Sequence, residues 1–238
     1  MTQTTVPVIF DLDGTLVDPA GGITGGISAA LREMGLPVPE QAVLNSMVGP
    51  KLSDSLLHLA NVSSELVDET IERYRGHYKE TGIGQSKLYP GIFDLLEFFA
   101  ETGRPVAVAT QKPQSIARLV LEHHGIADFF VSIRGAADDE SLKANTASGK
   151  VEIVAAALND LNSQPAVMVG DRHQDVAGAL ANGLDCIGVS WGFAPDGELE
   201  QAGAVAVVNT ALELRTKIEE LDAVRAAALS EVQNDGSL

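Results

Sequence analysis

Short apolar, β-branched runs alternate along the chain with stretches whose apolar residues recur at helical spacing. Val6 to Phe10, Pro105 to Ala109, Phe129 to Ile133, Ala166 to Val169, Cys186 to Val189 and Val205 to Val208 read as strands. Their near-continuous apolar character suits a sheet covered on both faces. Ile116, Leu119, Val120 and His123 share one face of a helix opened by Pro113, and Val151, Val154, Leu158 and Leu161 do the same in the next. The alternation predicts an α/β fold with a doubly wound, parallel, Rossmann-like sheet.

One stretch breaks the alternation. Between the first strand and Tyr89-Pro90-Gly91 no strand pattern is convincing. Ile23, Ile27, Leu31 and Met34 keep helical spacing, as do Leu56, Leu59 and Ala60. Gly35 and Pro37 punctuate the first helix, Gly22, Gly25 and Gly26 weaken it, and Gly82 and Gly84 close the region. The expectation is a small helical domain, 18–87, inserted into a core formed by 1–17 and 88–238. The tail from Thr210 to about Gln233 reads as a closing helix.

Apolar residues make up 45% of the 238, enough for a packed core. The formal net charge of −17 argues against nucleic acid as a partner, because a polyanion would be repelled. A phosphate substrate survives this objection, since a bound cation and backbone dipoles can invert the field within a site. The single cysteine, Cys186, excludes an intrachain disulfide. The start of the chain lacks the basic, then apolar, pattern of a signal peptide, and no apolar run is long enough for a membrane span. A cytoplasmic protein is expected. Oligomeric state is not legible.

The candidate chemistry lies at strand ends, where open α/β sheets bind ligands. The first strand runs into Asp11-Leu12-Asp13-Gly14-Thr15, with Asp11 and Asp13 two apart and so directed to the same side. Two converging carboxylates suit either a metal site or a nucleophile with an acid partner; the plainer reading is a polar turn. The fourth strand ends in Gly170-Asp171-Arg172-His173-Gln174-Asp175, with Asp175 on the first turn of the following helix. Four carboxylates at two strand ends are costly to gather without a cation, and hard oxygen ligands favour Mg²⁺. His173 reads as a solvated loop residue. The second strand ends in Thr110-Gln111-Lys112-Pro113, a hydroxyl and backbone N–H groups at a helix N-terminus, which suits an anion. Lys150 opens the next helix, where a cation is disfavoured, so an external anionic partner is expected there.

Taken together, these residues resemble the haloacid dehalogenase-like hydrolase superfamily, in its phosphoglycolate phosphatase-like branch. The four motifs are Asp11-Leu12-Asp13-Gly14-Thr15, Thr110 with Lys112-Pro113, Lys150, and Gly170-Asp171-Arg172 with Asp175. The resemblance implies a Mg²⁺-dependent phosphatase acting on a small phosphorylated metabolite. It makes Asp11 the nucleophile and Asp13 the general acid and base. It implies that Asp11, Asp171 and the backbone carbonyl of Asp13 bind the metal with Asp175 in support. Thr110, Gln111 and Lys150 then hold the phosphoryl group, and the helical insert closes over the substrate. Gln111 departs from the Asn common in the family, and Lys143, in an unusually long polar stretch, rivals Lys150.

The resemblance leaves alternatives. A 5′-nucleotidase or a sugar-phosphate phosphatase or mutase would keep the same core motifs, whereas a dehalogenase would not need Asp13. A non-catalytic binding module on the same fold is a further alternative, disfavoured by the intact acidic set. Lys51, Arg75, His77 and Tyr78 in the insert read as surface or packing residues.

Overall fold

The computed structural model describes residues 5–19, 21–138, 149–162 and 165–235, with side chains described as far as 227. Its strands are β1 (Val8–Phe10), β2 (Val17–Asp18), β3 (Lys87–Leu88), β4 (Val106–Pro113), β5 (Ser132–Ala136), β6 (Val167–Gly170), β7 (Asp185–Val189) and β8 (Ala206–Val208). The helices are α1 (Gly22–Glu33), α2 (Gln41–Ser46), α3 (Leu52–His58), α4 (Ser64–His77), α5 (Ile83–Gln85), α6 (Ile92–Glu101), α7 (Gln114–His123), α8 (Lys150–Asp160), α9 (His173–Ala181), α10 (Glu198–Ala202) and α11 (Ala211–Asp235). Six strands form one parallel sheet in the order β5-β4-β1-β6-β7-β8. This is the expected α/β, Rossmann-like core.

The strand order explains the unbroken apolar runs. Val8 and Phe10 pack into one core and Ile9 into the other, on opposite faces of the sheet. In β4, Val106 and Val108 face one core while Ala107 and Ala109 face the other. The chain leaves β1 for β4 and β5 on one side, then returns to β6 on the other. That reversal opens a crevice at the carboxyl ends of β1, β4 and β6.

Between β1 and β4 the helices α1 to α5 follow one another, bracketed by β2 and β3. These two strands pair antiparallel, Val17 with Leu88 and Asp18 with Lys87. The sequence carried no strand signal there, because two residues are too few for a period-two pattern to register. Gly82 does not close the helical region. A π-helical turn, Tyr78–Gly82, continues α4 directly into α5. Gly82 and Gly22 serve close packing instead: a Cβ on Gly22 would lie 2.6 Å from the Gly82 carbonyl oxygen, and one on Gly82 2.5 Å from Tyr78 Cδ2.

Other expectations shift by a few positions. The strand expected at Phe129 to Ile133 begins at Ser132, after a 3₁₀ turn, Ala127–Phe129. Phe129 is apolar because it meets Phe93 edge-on at 5.7 Å, not because it lies in the sheet. Helix α7 buries Ile116, Ala117, Val120 and Leu121, whereas Leu119 and His123 are exposed. In α8 Val151 faces solvent and Lys150 is buried beside it. Among the described residues no helix is long and apolar enough to cross a membrane.

Candidate active site

The site grows from the end of β1. Asp11 N–H donates to the Val169 carbonyl at 2.9 Å, continuing the β1–β6 ladder by one residue and bringing Asp11 beside the end of β6. The chain then turns tightly: the Leu12 carbonyl accepts from the N–H groups of Thr15, Leu16 and Val17. Gly14 sits in this turn at φ +87°, a conformation unfavourable for other residues.

Asp11, Asp171 and Asp175 converge, each offering an oxygen within 4.8 Å of the others, and all three are buried. Asp171 accepts from the Phe193 N–H at 2.7 Å and from the Thr15 hydroxyl at 3.4 Å. Asp175 caps its own helix by accepting from the Arg172 N–H at 3.0 Å. Burial and the neighbouring carboxylates push Asp171 well above the usual carboxylate range. Burial also raises Asp175, to about 6, against the downward pull of Lys150.

Lys150 spans this cluster, 2.6 Å from Asp11 Oδ1 and 2.5 Å from Asp175 Oδ1. Burial opposes its charge, but Asp11 and Asp175 hold its pKa above the usual value. Within the chain, the Lys150 ammonium meets the carboxylates of Asp11 and Asp175. One ammonium cannot neutralise three buried carboxylates, and the remaining charge and all-oxygen donor set fit a hard divalent cation. Lys143, the rival lysine, lies outside the described residues.

Asp13 stands apart from the three. Its Oδ2 accepts from Lys112 Nζ at 2.6 Å, while its buried Oδ1 has no hydrogen-bond partner among the described residues. Burial raises the Asp13 pKa, and Lys112 opposes the rise. For Lys112, burial opposes the charge, yet Asp13 with Tyr78 and Tyr74 keeps its pKa well above the usual value. The Lys112 ammonium also lies over the Tyr78 ring, 4.5 Å from its centroid. Thr110, buried on β4, accepts from the Lys112 N–H at 3.2 Å. Gln111 lines a cavity of about 50 Å³ beneath the helical segment with Asp13, Lys112, Ile23, Met47 and Tyr74.

Sequence reasoning missed two residues of this constellation. In the sequence Lys112 stands out only as part of a motif, and Tyr78 reads as a surface or packing residue. The signal for Lys112 was a lysine at the end of a buried strand, a place where a free ammonium is costly. Arg172 was likewise given no separate role. Its Nη1 donates to the Val48 carbonyl at 2.9 Å and its Nε to Glu198 at 3.1 Å, joining the β6 loop to the loop between α2 and α3. His173 faces Glu198 at 3.0 Å, outside the acidic cluster. Arg75 donates to the Asp138 carbonyl at 2.7 Å, and His77 meets Glu33 at 2.9 Å.

A parallel sheet with buried acids at the carboxyl ends of its strands marks an α/β protein whose ligand site lies at that edge. The model of the haloacid dehalogenase-like hydrolases matches residues 8–189, and the chain belongs to that family. It is 38% identical over 206 residues to the tyrosine-protein kinase PtkA of Mycobacterium tuberculosis, covering 86% of this chain and 68% of that one. It is 34% identical over 194 residues to a 5′-nucleotidase of Pseudomonas aeruginosa, covering 81% and 86%. A phosphoglycolate phosphatase of Yersinia pseudotuberculosis is 34% identical over 191 residues, covering 78% and 81%. The crystal structure of a predicted phosphatase from Clostridium acetobutylicum superposes with a TM-score of 0.82 at 38% identity, covering 91% of this chain and 99% of that one. The chain falls in the phosphoglycolate phosphatase-like branch and is a phosphatase.

Proposed function

We propose that the protein hydrolyses a small phosphate monoester with Mg²⁺, through a phosphoryl group carried transiently on Asp11. The observation that carries this reading is the buried convergence of Asp11, Asp171 and Asp175 with Lys150 between two of them. Asp11, Asp171 and the backbone carbonyl of Asp13 would hold Mg²⁺, with Asp175 in support. The metal supplies positive charge against the phosphoryl oxygens when bound.

The chain's own residues divide the remaining work. A carboxylate oxygen of Asp11 attacks phosphorus as the bond to the leaving oxygen breaks, and Asp13 gives that oxygen its proton. In the second displacement Asp13 takes a proton from water, whose oxygen attacks phosphorus while Asp11 departs. Thr110, Gln111 and Lys150 hold the phosphoryl oxygens and fix the line of attack. The segment 18–87 acts as a cap domain on the core of 1–17 and 88–238, excluding bulk water during the transfer.

A 5′-nucleotidase is the second reading, favoured by the relative of that name in Pseudomonas aeruginosa.

The test is phosphate release from p-nitrophenyl phosphate, then from phosphoglycolate, nucleoside monophosphates and sugar phosphates, each with MgCl₂ or EDTA. Asp11→Asn is expected to lose at least ~10³-fold in kcat while remaining folded, more than one hydrogen-bond donor contributes. Near-normal turnover by that variant would exclude Asp11 as the nucleophile. Highest kcat/KM on nucleotides would favour the second reading. Phosphotyrosine formation from ATP with a tyrosine acceptor would point instead to the activity named for the mycobacterial relative.

A further inference from the structure

Lys112 and Tyr78 have no part in the mechanism above, yet Lys112 lies against its acid–base group and Tyr78 against Lys112. Lys112 Nζ is 2.6 Å from Asp13 Oδ2, and the two side chains are 6% and 7% exposed. On its other side the same ammonium lies 4.5 Å from the centre of the Tyr78 ring. Tyr78 belongs to the segment between β2 and β3, and Lys112 to β4 of the sheet. The ring is itself wedged: a Cβ on Gly82 would lie 2.5 Å from Tyr78 Cδ2, and Tyr74 stacks on it at 5.7 Å.

We infer that Tyr78 and Lys112 are positioning residues, and that together they aim Asp13 Oδ1 at the leaving oxygen only while the helical segment lies over the site. This rests on the reading of Asp13 as the acid and base. Lys112 occupies Oδ2, so Oδ1 is the oxygen left to exchange a proton. Among the described residues that oxygen is buried without a partner, which is costly unless a substrate hydroxyl or water completes it. The Tyr78 ring holds the far side of the ammonium, and a cation over an aromatic face in a desolvated site is a strong tether. If the segment withdraws, Lys112 loses the ring and Asp13 loses its fixed orientation. Proton delivery is thereby tied to closure, and an open site would waste neither the acid nor a phosphoryl group.

The leaving group decides the test. A p-nitrophenolate departs without much help from an acid, whereas an alkoxide needs the proton. The ratio of kcat/KM for an alkyl phosphate to that for p-nitrophenyl phosphate therefore reports the first displacement, apart from later steps. The alkyl ester is the one the wild type turns over fastest. Lys112→Met is expected to lower this ratio about 10²-fold, the scale of a misdirected general acid. Tyr78→Leu lowers it less, Tyr78→Phe keeps it, and the Lys112→Met/Tyr78→Leu pair falls no further than Lys112→Met alone. Asp13→Asn is the reference and must lower the ratio. If it does, while Lys112→Met and Tyr78→Leu reduce both esters equally, the two residues are merely structural and the inference is wrong. If Asp13→Asn leaves the ratio unchanged, the reading of Asp13 itself is wrong and the inference falls with it. Should Lys112→Met not fold, Tyr78→Leu, which leaves every charge in place, decides between these outcomes.

Discussion

Four glycines stand against the charged cluster, each where a side chain would intrude. A Cβ on Gly14 would lie 2.2 Å from Asp171 Oδ2, one on Gly192 2.3 Å from Asp171 Cβ, one on Gly170 2.3 Å from Asp175 Cβ, and one on Gly178 2.8 Å from Lys150 Cγ. The charged side chains are therefore held by missing volume as well as by hydrogen bonds. Gly192 isolates the steric effect, since its backbone is not in the left-handed region. Gly192→Ala is expected to destabilise the protein by about 1–3 kcal/mol, the scale of overpacking, and to abolish most Mg²⁺-dependent phosphate release. Urea unfolding and the p-nitrophenyl phosphate assay check this, and wild-type values in both would contradict it. At this scale Asp11, Asp13, Asp171 and Asp175 were legible because each follows a strand in a short local motif. The Lys112–Asp13 pair was not, because 99 residues separate its members and only the pairing of β1 with β4 brings them together.

Elements depend on ties that no periodicity reveals. Helix α11 is anchored to the segment leading into β1 by Asp222, which accepts from the Val6 N–H at 2.8 Å and from Arg104 Nη2 at 2.5 Å. Arg104 is buried, and its Nη1 also donates to the Val6 carbonyl at 2.6 Å. Removing Asp222 would leave an uncompensated buried guanidinium. Asp222→Ala is expected to cost about 3 kcal/mol, the lower end for a broken buried pair because Asp222 is itself 18% exposed. A guanidinium titration reads this as a lower midpoint with unchanged slope, and an unshifted midpoint would show the tie to be idle. The long strands and helices were legible from spacing. The two-residue β2 and β3 were not, and the buried face of α7 fell one position from the expected one because Ala117, small and unremarkable in sequence, packs where Leu119 was expected.

For the whole molecule, the acidic cluster links metal binding, pH and stability. Asp175 is raised to about 6 from its ordinary 3.8, so in the absence of metal the folded protein binds this proton more tightly than the unfolded chain does. The stability this supplies is complete below the ordinary value and is lost as pH rises through about 6. Metal binding has the opposite slope, because the ligands must be deprotonated. Mg²⁺ is therefore expected to raise the melting temperature more at about pH 7.5 than at about pH 5, by an increment that grows with its concentration. Melts in MgCl₂ and in EDTA at both pH values test the sign, and an equal increment at both would count against a carboxylate metal site. The net charge of −17 adds to the repulsion among these carboxylates when EDTA removes the metal.

By itself the amino-acid sequence determined the alternation of strands and helices, the helical interruption, and the presence of acids at the ends of two strands. These are local properties, written in spacing and in the residue that follows each strand. Tertiary structure alone decided which charges meet: Lys150 with Asp11 and Asp175, Lys112 with Asp13 and Tyr78, Arg172 with Val48. The reason is that side-chain reach is a few ångströms, and which distant residues come within it is set by strand order and by how the helical segment lies on the sheet.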